Sequence, residues 1–298
     1  MNEKITIIKP RDTFHWSDLA KLWDYHELLY YLTWRDLKVR YKQTVIGVAW
    51  VIFQPFVSMI VFSVFFGNMI GVKTDPDASG MPVPYPIFVF VGLLFWQFFS
   101  SALADISNCL VANQNIISKV YFPRILLPIS MILTRFIDFL VASVILLGLM
   151  LYYGYLPHLL GLLMMPLLFL MTFLSCLGMG LFFAALNVKY RDVKFALPFF
   201  IQMMMFVTPV IYSTSIAGKY AWVFAINPMA TVIKSARSAF LGVWDVNWLQ
   251  IGLSLVMCLI MLAVGWWHFR KEERENNRDG SNKMLFFIHH RFSQSDLM

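Results

Sequence analysis

Six stretches of roughly twenty apolar residues dominate this chain, and each is long enough to cross a bilayer as a helix. They fall at 45–70, 86–107, 125–152, 159–186, 195–212 and 249–268. In hydrocarbon every backbone N–H and C=O must be satisfied within the segment, so such runs fold as helices. The expected fold class is all-α, a polytopic membrane protein with six transmembrane helices. Composition agrees: 59% of residues are hydrophobic and 14% charged, against about a quarter charged in soluble domains. Pro55, Pro166 and Pro198 fall within or at the start of these runs and predict kinks.

Lys and Arg set the orientation. With the N-terminus inside, nineteen basic residues lie in the inner segments, while Lys73, Lys219, Lys234 and Arg237 lie in the outer ones. This bias places both termini in the cytoplasm. No cleavable leader pattern precedes Val45. Residues 1–44 are read as a cytoplasmic N-terminus, 45–268 as the transmembrane domain and 269–298 as a basic cytoplasmic tail. Within 24–42, Tyr25, Leu28, Leu29 and Leu32 recur at helical spacing, with Arg35, Lys38 and Lys42 on another face. This predicts an amphipathic helix in the headgroup layer, against a basic flank that only sets topology. Asp36 and Arg40 are spaced as an i,i+4 ion pair.

The stretch 213–248 holds two short semi-apolar pieces broken by Asn227 and Pro228. It reads as an ordinary external loop or as a re-entrant hairpin. Lys234 and Arg237 on it are expected as solvated charges or contacts to an anionic headgroup. Arg135 and Asp138 share one face of the third span and read as a structural ion pair or a gate. Asp105 is expected near the cytoplasmic end of the second span. Aromatics reach 17%. Trp50, Phe53, Phe62, Phe65 and Phe66 crowd the first span, and Phe169, Phe173, Phe182 and Phe183 the fourth. Phe195, Phe199, Phe200, Phe206 and Tyr212 mark the fifth. They read as helix packing, or as an aromatic-lined path on which sugar rings slide.

No catalytic signature is present. The nearest phosphate-loop pattern, Gly67 to Thr74, has Val72 where glycine is required and follows a span rather than a strand. Cys109, Cys176 and Cys258 are far apart and give no disulfide or metal spacing. No metal, cofactor or nucleic-acid partner is expected for the chain itself.

Four segments carry a family resemblance. The run Trp34-Arg-Asp-Leu-Lys-Val-Arg-Tyr-Lys-Gln-Thr-Val-Ile-Gly-Val-Ala-Trp-Val-Ile-Phe-Gln-Pro55 resembles the start of ABC-2 type permeases for polysaccharide export. Asn113 to Arg124, Leu186 to Val193 with Thr208 to Tyr212, and Ile226 to Met229 follow in the family's order. The likeness covers about residues 30–268. It implies two permease copies bound to two ABC ATPase subunits, which use ATP and magnesium to export O-antigen, capsule or teichoic acid chains, often on undecaprenyl diphosphate. It implies a bacterial inner-membrane location. It implies ATPase coupling at Asn113, Gln114, Asn115 and Lys119, and again at Lys189, Arg191 and Asp192. External gate helices are implied over 214–243, including Asn227, Pro228, Lys234 and Arg237. Arg35, Lys38, Arg40 and Lys42 are implied at the substrate entrance, where guanidinium and ammonium groups suit a diphosphate. A permease for a drug or small lipid, and a membrane-embedded glycan-modifying enzyme, stand as alternatives.

Overall fold

The computed structural model describes residues 21–42, 49–75, 80–117, 119–120, 122–155, 159–190, 192–214, 224, 226–241 and 246–295. Side chains are described to residue 274, with those of 21, 22, 159 and 160 excepted. The described residues form helices and connecting turns, with no strand. In chain order α1 is His26–Lys42, α2 Ala49–Phe62 running on as a π-helix over Ser63–Met69, and α3 Tyr85–Ala112. Then come α4 Leu126–Tyr152, α5 Leu159–Lys189 and α6 Val193–Val207. The last two are α7 Pro228–Leu241 and α8 Trp248–Ser295.

Among the described residues, five helices are long and apolar enough to cross a membrane: Ala49–Met69, α3, α4, Gly161–Lys189 within α5, and Trp248–Arg274 within α8. The run expected as a fifth span, 195–212, departs from its prediction. Its helix, α6, ends at Val207 after 15 residues, about 22 Å of rise against a hydrocarbon core of about 30 Å. Pro209 explains the stop. A residue before proline is pushed out of the helical region, and Thr208 is extended at φ −94°, ψ 134°.

The central helix is α3. It is apolar all round, the mark of a helix walled by others on every side. Within its most apolar stretch 78% of residues are buried, against 11% for Ala49–Met69. Phe88, Phe90, Phe95 and Phe99 on α3 are among the largest fully buried side chains. Phe98 of α3, Phe136 of α4 and Phe169 of α5 form one aromatic cluster, with Phe136 and Phe169 centroids 4.2 Å apart. Phe169 and Phe173 thus pack between helices, as do Phe182 against His268 and Phe183 against Phe200.

Glycine sets the closest approach in the bundle. A Cβ on Gly265 of α8 would lie 2.0 Å from the Gly178 carbonyl oxygen of α5. Only the absence of both side chains lets these backbones meet, as small residues do at helix interfaces in lipid. The outer helices α2 and α6 remain bare by contrast. Leu197 alone is buried on α6, and Phe53, Phe65, Phe199 and Phe206 are exposed.

Candidate functional site

The C-terminal half of α1 reaches into the bundle. Leu32 packs on Cys109, Phe122, Leu126 and Leu127, with Tyr25, Leu28 and Leu29 beside it. The face expected to meet lipid therefore lies on protein, while Tyr30, Tyr31 and Trp34 stay exposed. About two turns beyond Leu32, Arg40 points at two carboxylates carried by spanning helices. Its guanidinium donates to Asp138 of α4 at 2.8 Å and to Asp105 of α3 at 2.9 Å. Arg135 of α4 completes the group. It binds Asp105 through two nitrogens, at 2.7 and 3.1 Å, and lies 3.2 Å from Asp138. Tyr41 donates to the other Asp138 oxygen. Two arginines and two aspartates thus cancel in charge, and both oxygens of each carboxylate are engaged. Such pairing is what permits charge at membrane depth. Burial, with the Asp138 carboxylate next, pushes the Tyr41 phenol up.

This geometry corrects the expected Asp36–Arg40 pair. Asp36 instead accepts from Arg35 at 2.7 Å, because Arg40 faces the bundle. An exposed i,i+4 pair contributes only about 0.2–0.5 kcal/mol, which two half-buried carboxylates outweigh. Asp105 and Tyr41 were the missed members of the cluster. The only sequence signal for them was an acid and a phenol near span ends, on helices two apart in chain order.

The remaining predicted residues disperse. Arg35 also donates to Asn113 at 2.9 Å, joining α1 to the turn after α3, where Gln114–Ile117 form one helical turn. Asn113 is buried; Gln114, Asn115 and Lys119 are exposed. Lys38 lies over the Trp34 ring, and Lys42 is exposed at the end of α1. Lys189 ends α5 within 3.7 Å of Glu272 on α8, and Arg124 lies 3.7 Å from Glu273. Asp192 is exposed in the turn before α6, and Arg191 lies outside the described residues. Trp50 borders the cavity above the ion cluster. Phe62 and Phe66 pack partly on the core with Tyr212, while Phe53, Phe65, Phe199 and Phe206 face outward.

At the opposite end of the bundle a second arginine is buried. Arg237 of α7 is 5% exposed, which corrects the expectation of a solvated charge. It donates to the carbonyls of Phe88 at 3.1 Å, Pro209 at 2.9 Å and Tyr212 at 3.2 Å, and to that of Val210. Its guanidinium stacks 3.6 Å above the Phe88 ring. The break at Thr208–Pro209 frees carbonyls that hydrocarbon cannot satisfy, and a five-donor fork collects them. Asn227 ties the same break to α7. Its amide donates to the Thr208 hydroxyl at 2.9 Å, and its oxygen caps the N–H of Met229, with Pro228 as the first helical residue. Lys234 is partly exposed beside it.

Among the described residues, five long apolar helices with α3 at the centre, a shorter apolar helix that breaks at Pro209, and neutralised charge at depth define a multi-pass membrane protein. The chain belongs to the ABC-2 type transporter family, whose model matches residues 27–241. It is 30% identical over 247 residues to an O-antigen export system permease protein, RfbA, of Klebsiella pneumoniae, covering 82% of this chain and 92% of that protein. An RfbA of Myxococcus xanthus is 28% identical over 74% of this chain and 83% of its own length. The polysialic acid transport protein KpsM of Escherichia coli is 25% identical over 80% and 91%.

Proposed function

We propose that this chain is the transmembrane subunit of an ATP-driven exporter that carries a lipid-linked polysaccharide, an O-antigen on undecaprenyl diphosphate, across a bacterial inner membrane. One observation carries this reading: proteins named as O-antigen export permeases align with it over most of both chains. The likeness to a polysialic acid transport protein supports a capsular polymer as the second reading. Both cargoes are sugar chains, which suits the bare aromatic faces of α2 and α6.

In this reading α6, the turn after it and α7 together make the sixth passage, with α7 re-entrant from outside. Both termini and the charged end of α8 then lie in the cytoplasm, and 45–268 is the transmembrane domain. The α1 helix lies at the inner headgroup level, where its exposed Trp34, Tyr30 and Tyr31 suit an aromatic belt. A separate ABC ATPase, in two copies, supplies the energy by hydrolysing magnesium-bound ATP. It seats on Asn113, Gln114, Asn115 and Lys119, and on Lys189, Arg191 and Asp192. A second copy of this chain faces α2 and α6, so that Trp50, Phe53, Phe62, Phe65, Phe66, Phe199, Phe206 and Tyr212 line the shared path.

The diphosphate is drawn to Lys38 and Lys42, with Arg35 behind them. Arg40, held by Asp105 and Asp138, orients α1 rather than meeting the cargo first. When the ATPase closes, it pushes the turn after α3, and the Arg35–Asn113 bond hands that push to α1. Neutralising Lys38→Gln with Lys42→Gln leaves the ion cluster untouched. Each lost charge-assisted contact to phosphate is worth about 1.5–3 kcal/mol, so surface polymer should fall on the order of tenfold or more. The purified complex should keep its composition. Unchanged surface polymer refutes the entrance role. Failure of any ABC ATPase to copurify refutes the exporter reading itself, and stimulation of ATP turnover by capsular rather than O-antigen lipid selects the second cargo.

A further inference from the structure

Beside the ion cluster lies a cavity of about 480 Å³ that shares Trp50 with the proposed export path. It sits among α1, α2, α3 and α4. Its walls are Trp50, Val51, Pro55, Leu94, Phe98, Phe139 and Ala142, and Arg40, Tyr41, Arg135 and Asp138 close one end. It follows roughly one turn of α4, from Asp138 to Ala142, and roughly two turns of α3, from Leu94 to Ser101, about 10 Å. Three polar side chains interrupt the apolar wall: Gln54 on α2, and Gln97 and Ser101 on α3. Among the described residues, none of these three side chains has a hydrogen-bond partner within the chain.

Gln97 and Ser101 are partly buried and Gln54 is exposed at the mouth, and an amide left unpaired beside an apolar wall is costly. Two on facing helices, opening into one space of drug-sized volume, mark a place where something else supplies the partners. The charged end is already neutral, with each arginine held by carboxylates. An ionic head would therefore meet both signs of charge at once and gain from neither. An amide donates and accepts equally well. We propose that this cavity binds a non-ionic amphiphile, an apolar body bearing hydroxyl or carbonyl groups, with the head between Gln54, Gln97 and Ser101. Such a ligand reaches it from the membrane as a neutral glycerolipid or from outside as a neutral small molecule. Its mouth is on the exposed side of Trp50 and Gln54, the α2 face that the proposed function turns toward the second copy, so the ligand enters at the edge of that interface.

The full-length chain in nanodiscs tests this with a diazirine-bearing monoacylglycerol. Photolysis and peptide mapping should place label on α2 and α3 around residues 50–55 and 94–101, and unlabelled monoacylglycerol should compete it away. Gln54→Leu with Gln97→Leu, apolar in an apolar wall, should lower the labelling about five- to tenfold, the loss of one or two hydrogen bonds. A matched diazirine fatty acid and a diazirine alkylammonium should label these positions weakly. Competition by a neutral glycerolipid extract but not by a soluble neutral aromatic alcohol identifies a membrane source, and the reverse an external one. Label spread over the outer faces of α2 and α6, or unchanged by the double variant, overturns the site. Equal labelling by the charged probes overturns the non-ionic head.

Discussion

The two arginine sites of this bundle solve one problem in opposite ways. At the α1 end, Arg40 and Arg135 meet Asp105 and Asp138, and the group is neutral by pairing. At the α7 end, Arg237 meets four backbone carbonyls, and Asp75 contributes only attraction from farther off. The first site remains a quarter open around its arginines and borders a cavity; the second is closed. Charged side chains on three different helices can exchange partners when those helices shift. Carbonyls freed by one proline cannot, because their positions are fixed by the chain that carries them. The paired site is therefore built for relative motion of α1, α3 and α4, and the carbonyl site for holding a broken segment in place.

The sharpest way to break this contrast is Arg237→Met. It removes a donor from the carbonyls of Pro209, Val210 and Tyr212 at the break and from that of Phe88 in α3, and each carbonyl left unsatisfied costs about 1–3 kcal/mol. The protein should lose at least about 3 kcal/mol of stability, read as a collapse of its thermal transition in detergent. Arg237→Lys should rescue little, since an ammonium is a point donor and cannot span the fork. A variant that melts like the wild type would show that water, not Arg237, satisfies the break.

The paired site should lose less and, unlike the other, be repairable. Asp138→Asn leaves two arginines against one carboxylate, a cost of about 2 kcal/mol for a cluster that is still partly open. Arg40→Gln should cost a similar amount with the opposite excess charge. Combined, they restore neutrality, and the double variant should recover about 1 kcal/mol or more relative to the sum of the singles. Strict additivity in thermal unfolding would mean that Arg40 and Asp138 do not act as a pair.

These sites also measure what the sequence made legible. The apolar runs gave five spans closely, because length and hydropathy alone decide them. They misjudged 195–212, where Pro209 outweighs the apolar residues around it. Arg135 and Asp138 could be read together because i,i+3 is a local relation. Arg40 with Asp105 could not, since the fold brings together residues 65 apart. Arg237 was misread because its partners are carbonyls, and a carbonyl acceptor has no residue type by which a sequence can announce it. The resemblance to ABC-2 permeases pointed to function where none of these local rules did.

Tyr41→Phe probes the finest part of the contrast, the neutral donor that completes the paired site. Deleting one oxygen should cost about 1 kcal/mol near neutral pH, the smallest of these effects. Its pH dependence is more telling than its size. Burial and the Asp138 carboxylate raise the phenol above its ordinary value of 10.0. Between about pH 10 and the raised value, the folded chain holds a proton that the unfolded chain has lost. Wild-type stability from this group is therefore flat below about pH 10 and declines above it, and the phenylalanine variant lacks that decline. The difference in melting temperature between the two proteins should be constant from pH 6 to about pH 9.5 and narrow above about pH 10. A difference that stays constant at higher pH would place the Tyr41 hydroxyl in water, away from Asp138, and would remove α1's only uncharged tie to the cluster.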